Sequence, residues 1–192
     1  LNLPNKLTII RMIMIPIFMI FVSIPASGDG TQVLGSQWYW QYVVAAIIFA
    51  VASFTDWLDG YIARRDNLVT NFGKFADPLA DKMLVATAFI ALVGIDLAPA
   101  WLVSIIIMRE LAVTGLRLLL VEKGTVMAAG SAGKLKTFTQ MLSIIFLLLG
   151  DFPLGFLPFS IGQILLYLAL VFTIYSGVDY FVKNISVFSD GL

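Results

Sequence analysis

The chain has 192 residues, of which 60% are hydrophobic and 12% charged, with twelve Lys and Arg balancing twelve Asp and Glu. A mean hydropathy of +0.96 excludes an ordinary soluble domain and points to a single membrane domain over residues 1–192. The absence of cysteine and histidine excludes disulfides, thiolate metal sites and the commonest general base, leaving carboxylates and hard cations as the available chemistry.

Taken in chain order, the apolar segments predict six spans, at about 7–25, 39–58, 79–96, 99–120, 135–151 and 161–182. Crossing a ~30 Å hydrocarbon core takes about 20 helical residues. The expected fold is therefore an all-α integral membrane protein, a bundle of six transmembrane helices. The first span follows Lys6, and the small residues Ala26, Ser27 and Gly28 after it have the look of a secretory cleavage site. Arg11 interrupts the apolar run, which favours a retained helix. Trp38, Tyr39 and Trp40 at the start of the second span, and Trp101 at the start of the fourth, read as aromatic-belt anchors.

The cations are distributed unevenly between the spans. Lys6 and Arg11 belong to the start of the chain, Arg64, Arg65, Lys74 and Lys82 to the second connection, Arg117, Lys123, Lys134 and Lys136 to the fourth, and Lys183 to the tail. The connections around 27–38, 96–99 and 151–160 have no Lys or Arg. The positive-inside rule then predicts a multi-pass protein of the cell membrane with both termini and the second connection cytoplasmic.

That second connection carries the chemistry. From Asp56 to Asp81 the chain reads D-x-x-D-G-x-x-A-R, eight residues, then G-x-x-x-D-x-x-x-D. Asp56 and Asp59 are three apart, and Asp77 and Asp81 four apart, so each pair shares a helix face. Four carboxylates at a membrane edge repel one another and need cations. Oxygen-only ligands favour Mg2+, Mn2+ or Ca2+, and four of them suit two divalent ions clamping a diphosphate. Gly60 and Gly73 allow a ligand close to the backbone, and Arg64 offers a bidentate fork to a phosphate. Arg65, Asp66, Lys74 and Lys82 are explained as ordinary flanking charges.

The eight-position pattern resembles the signature of the CDP-alcohol phosphatidyltransferase family, integral membrane enzymes that move a phosphatidyl group from a CDP-linked lipid to an alcohol. The resemblance implies that Asp56, Asp59, Asp77 and Asp81 hold two divalent cations, Mg2+ or Mn2+, and that Asp81 also takes the proton of the attacking alcohol. It implies that Gly60, Ala63, Arg64 and Gly73 receive the cytidine diphosphate of CDP-diacylglycerol, within a homodimer surrounded by membrane lipids and without nucleic acid. Asn5 and Thr8 have equal claims as nucleotide-site residues and as helix caps.

The acceptor is read outside the signature, from Arg109, Arg117, Lys134 and Lys136. Glu110, Thr114 and Arg117 line one helix face, and a polar stripe within an apolar span is a functional hypothesis. Arg109 and Glu110 are adjacent and do not share a face, so Glu110 is not expected to neutralise Arg109. Cations beside the acids suit an acceptor carrying its own phosphate and suit choline or ethanolamine badly. Flanking explains Lys136 equally well.

The segments from Asn2 to Arg11, Arg109 to Arg117 and Gly133 to Thr137 resemble the branch of the family that accepts sn-glycerol 3-phosphate. The implied products are phosphatidylglycerol phosphate and CMP. Other readings keep the chemistry and change the acceptor to phosphatidylglycerol, inositol phosphate or serine. A divalent-cation transporter is the reading from another class, disfavoured because no repeat is visible and the acids lie at helix ends rather than at the midplane. Asp179 is open to capping, a cation pair or a dimer contact.

Overall fold

A computed structural model describes residues 2–65, 70–122, 124 and 131–185. Among them are six helices, α1 (Leu3–Val22), α2 (Trp40–Arg65), α3 (Asn71–Gly94), α4 (Ala100–Glu122), α5 (Ser131–Leu148) and α6 (Ile161–Lys183), together with strands β1 (Thr31–Val33) and β2 (Ser36–Trp38). The hairpin departs from the all-helical expectation. Its turn residues Leu34 and Gly35 have φ of 48° and 80°, the pair of left-handed conformations that a tight two-residue hairpin demands.

The helix starts follow local chemistry. Asn2 caps α1 by accepting from the Asn5 amide at 3.1 Å, and Thr70 caps α3 by accepting from the Gly73 amide at 3.0 Å, each satisfying a free first-turn donor. The Thr70 cap sets α3 going eight residues or more before the expected span, so Gly73 and Asp77 lie inside the helix. Likewise α2 continues through the first half of the motif to Arg65.

Among the described residues, three helices are long and apolar enough to cross a membrane, over Leu3–Ser23, Trp40–Ile62 and Ile161–Lys183. The other three, α3 to α5, carry the charged residues of the motif and of the cationic segments inside their lengths, which breaks up the uniformly apolar stretch that a span by composition requires. The chain is thus mostly helical and a membrane protein, with three spans legible by composition instead of six.

The core draws on all six helices, around Phe18, Phe49, Phe89, Leu92, Leu102, Ile144 and Leu166, all fully buried. At the end where α2 begins, the hairpin docks on the connection between α5 and α6. A Cβ at Gly35 would stand 2.7 Å from the Phe156 amide nitrogen and one at Gly155 would stand 2.6 Å from that of Ser36, so the two backbones touch. The rings of Trp38 and Phe152 meet with centroids 4.8 Å apart. Asp151 accepts from the Gly162 amide at 2.6 Å, and Gln163 reaches the Leu97 carbonyl at 2.7 Å. At a rise of about 1.5 Å per residue, the acid motif lies at the far end of α2 from this cap.

Candidate active site

Side chains of α1 contact each of the first three aspartates, which lie on α2 and α3. Asp56 and Asp59 lie in the last three turns of α2, Asp77 lies in the second turn of α3, and the face of α1 made by Asn5, Thr8 and Arg11, one helical turn apart, is buried against them. Thr8 donates its hydroxyl to the Asp77 carboxylate. Asn5 accepts from the Thr70 hydroxyl at 3.0 Å. Both residues therefore join α1 to the start of α3, while the cap of α1 is supplied by the Asn2 side chain.

Arg11 is the residue that sequence reasoning passed over. Its side chain is fully buried, bonds Asp56 at 2.6 Å and also pairs with Asp59, which is itself 2% exposed. Burying an ion costs several kcal/mol unless it is paired and hydrogen-bonded, so the α1–α2 contact closes around a paired charge cluster in which both Arg11 Nη atoms meet a carboxylate and the buried Nε has no partner among the described residues. The signal was present as the three-residue spacing of Asn5, Thr8 and Arg11 and as a cation inside an apolar span.

Around Arg11 the acids remain in excess, since one guanidinium meets Asp56 and Asp59 while Asp77 is contacted by a neutral hydroxyl. Asp81, one turn beyond Asp77, has a buried Oδ1 with no hydrogen-bond partner among the described residues. At Gly73 a Cβ would stand 3.2 Å from both the Asn5 Oδ1 and the Thr70 Oγ1, and 3.4 Å from the Asp77 Oδ2. An all-oxygen donor set, an unpartnered carboxylate oxygen and a side-chain-free approach fit hard divalent cations. Among the described residues no three acids converge on one point.

Gly60 lies in the last turns of α2, half-buried. Ala63 and Arg64 continue that helix, and their side chains lie outside the described residues.

Asp81 also borders a second, polar cleft of about 170 Å3, whose lining includes Lys82, Arg109, Glu110, Arg117, Lys136 and Tyr180. Lys136 is buried and pairs with Glu110. Arg109 bonds the same carboxylate at 3.0 Å. The expected independence of Arg109 and Glu110 is thereby overturned: backbone neighbours point apart at Cβ, but both side chains are long enough to curl together at the helix surface. Lys82, read as a flank, donates to the Thr114 hydroxyl at 2.5 Å and lines the cleft. Its position immediately after Asp81 was the available clue. Arg117 is exposed and reaches the lining, whereas Lys134 is exposed and follows Gly133, which lines it. Asp179 pairs with Lys183 one turn on, at 2.8 Å on the surface.

A family model described as CDP-alcohol phosphatidyltransferase matches residues 1–175. The CDP-diacylglycerol–glycerol-3-phosphate 3-phosphatidyltransferase of Bacillus subtilis (strain 168) is 50% identical over 183 residues, covering 95% of each chain. The Rickettsia typhi protein of the same name is 39% identical over 181 residues, covering 94% of this chain and 95% of its own. A probable phosphatidylglycerophosphate synthase of Mycobacterium tuberculosis (strain ATCC 25618 / H37Rv) is 37% identical over 182 residues, covering 95% of this chain and 81% of its own.

Proposed function

The chain belongs to the CDP-alcohol phosphatidyltransferase family, and from that premise we propose how its residues transfer the phosphatidyl group of CDP-diacylglycerol to sn-glycerol 3-phosphate, giving phosphatidylglycerol phosphate and CMP. It is a phosphatidyltransferase of phospholipid synthesis, and relatives up to 50% identical over nearly the whole chain carry that donor and acceptor in their names. The observation that carries the acceptor is the cleft beside Asp81, walled by Lys82, Arg109, Arg117 and Lys136. A phosphate on the acceptor is what such a wall recognises.

Asp56, Asp59, Asp77 and Asp81 would hold two divalent cations, Mg2+ or Mn2+, which when bound neutralise a diphosphate and its leaving group. Asp81 stands between the acid cluster and the cationic cleft, the place from which one carboxylate oxygen can take the acceptor's hydroxyl proton. The hydroxyl oxygen bonds to the lipid-linked phosphorus, the bond from that phosphorus to the bridging oxygen breaks, and the electron pair leaves with CMP. Gly60, Ala63, Arg64, Gly73, Asn5 and Thr8 would receive the cytidine diphosphate, with Gly73 giving the close approach. Arg109, Arg117, Lys134 and Lys136 would hold the acceptor's phosphate, orienting its hydroxyl for attack.

The proposed setting is the cell membrane, with six helices crossing it, both termini and the site cytoplasmic, and two copies associating as a homodimer. The support is the absence of Lys and Arg from three connections and the position of the acids at the end opposite the hairpin cap. The deciding experiment gives the purified protein CDP-diacylglycerol with Mg2+ or Mn2+ and a panel of alcohols, and identifies the lipid product by mass. Phosphatidylglycerol phosphate is expected from glycerol 3-phosphate. Turnover with phosphatidylglycerol, inositol phosphate or serine and none with glycerol 3-phosphate would move the protein to another branch of its family.

A further inference from the structure

Arg109 is held from α6. Its Nη2 donates at 2.7 Å to the hydroxyl of Ser176, 67 residues later in the chain, and its guanidinium carbon lies 5.8 Å from the centroid of the Tyr180 ring. Between those two residues, Gly177 leaves room for the side chain's stem: a Cβ there would stand 3.0 Å from the Arg109 Cγ and 3.5 Å from its Nε. On α4 itself, Nη1 bonds Glu110 at 3.0 Å. Ser176, Gly177 and Tyr180 lie within one helical turn and so form one patch, and both Arg109 and Tyr180 line the cleft beside Asp81.

An arginine side chain has large rotamer freedom, and ordering it on binding costs affinity that prior fixation avoids. Nothing about the α4–α6 packing requires a charged residue at 109, since the surrounding faces of both helices are apolar, with Ile105, Met108 and Ala112 on α4 and Ile174, Val178 and Phe181 on α6. A polar hydroxyl, a ring face and a missing side chain placed together around one guanidinium describe a holder.

We propose that Ser176, Gly177 and Tyr180 are positioning residues for acceptor recognition, fixing the Arg109 guanidinium at the polar cleft in the orientation that engages the acceptor's phosphate. This rests on the reading of Arg109 as an acceptor-phosphate residue. The chemistry recognised is a phosphate monoester on a small polyol, and the proposed part of α6 is to hold Arg109.

The test is steady-state kinetics of the full-length protein in mixed micelles, varying glycerol 3-phosphate and CDP-diacylglycerol separately. Ser176→Ala, which removes only a hydroxyl, should raise the glycerol 3-phosphate KM about tenfold, the range for a lost hydrogen bond to a charged group, with kcat and the CDP-diacylglycerol KM unchanged. Gly177→Ala should raise the same KM several-fold by displacing the Arg109 stem. Tyr180→Leu, which removes the ring face, should raise it as well.

Adding Ser176→Ala to Arg109→Gln should cause no further change, because the two act through one group. A raised KM in Arg109→Gln with none in Ser176→Ala overturns the holder alone. An unaltered KM in Arg109→Gln overturns the acceptor-site reading beneath it. Parallel loss for both substrates, or additive effects in the double variant, would assign the patch to helix packing.

Discussion

Asp81 follows Asp77 by one turn, lines the cationic cleft and has an unpartnered buried oxygen, which makes it the proposed proton acceptor. Asp81→Asn keeps the shape and removes the proposed base. CMP release at saturating substrates should fall about a hundredfold or more, the usual worth of a positioned base, with an unchanged unfolding midpoint in detergent. Retention of a tenth of the activity would take Asp81 out of the proton-transfer step. Arg11 makes the complementary case. Arg11→Gln leaves the buried Asp59 and the half-buried Asp56 without their cation, so thermal or denaturant unfolding in EDTA should show a loss of about 3 kcal/mol. Divalent cations should restore part of it by supplying the missing positive charge.

At the scale of elements, the helices and the aspartate pattern were legible because their signals are local: apolar runs long enough for a bilayer, and acids spaced by one helical turn. The start of α3 was placed late because a membrane-length argument looks for the apolar stretch and ignores the Thr70 cap that begins the helix earlier. Arg11 and Lys82 were not recognised because their partners lie 45 and 32 residues away, a relation that only packing creates. The β1–β2 hairpin was missed for a related reason, since its three-residue strands are too short for period-two patterning. Its lock is Gly35, with φ of 80° and backbone 2.7 Å from where a Cβ would lie. Gly35→Ala should destabilise the fold by more than about 1 kcal/mol and expose the 31–38 segment to limited proteolysis, while the chemistry at the far end of α2 continues. Undiminished protease resistance would show that the hairpin tolerates a side chain at its dock.

For the whole molecule, the division between a hairpin-capped end and a charged end gives a direct test of orientation. The chain has no cysteine, so single thiols introduced at exposed sites report without background. Gln32→Cys and Phe159→Cys should react with an impermeant reagent applied to intact cells, and Lys6→Cys should react only after permeabilisation. Labelling of Lys6→Cys in sealed cells would invert the proposed topology and put the acid cluster outside.

The pairing of Arg11 with Asp56 and Asp59 has a consequence for how the protein is made. During synthesis α1 emerges first, and as a lone helix it offers the bilayer an arginine whose insertion is unfavourable by about 2.5–3.5 kcal/mol at a helix centre. The compensating carboxylates are 45 and 48 residues behind it, beyond the length of a single helix. The two segments are therefore expected to enter lipid as a helical hairpin, with α1 waiting at the interface until α2 arrives. In a glycosylation-mapping assay α1 alone should integrate poorly, α1 followed by α2 efficiently, and Asp56→Leu/Asp59→Leu in the longer piece should reverse the gain. Efficient integration of unmodified α1 by itself would show that assembly of the charge cluster follows insertion instead of enabling it.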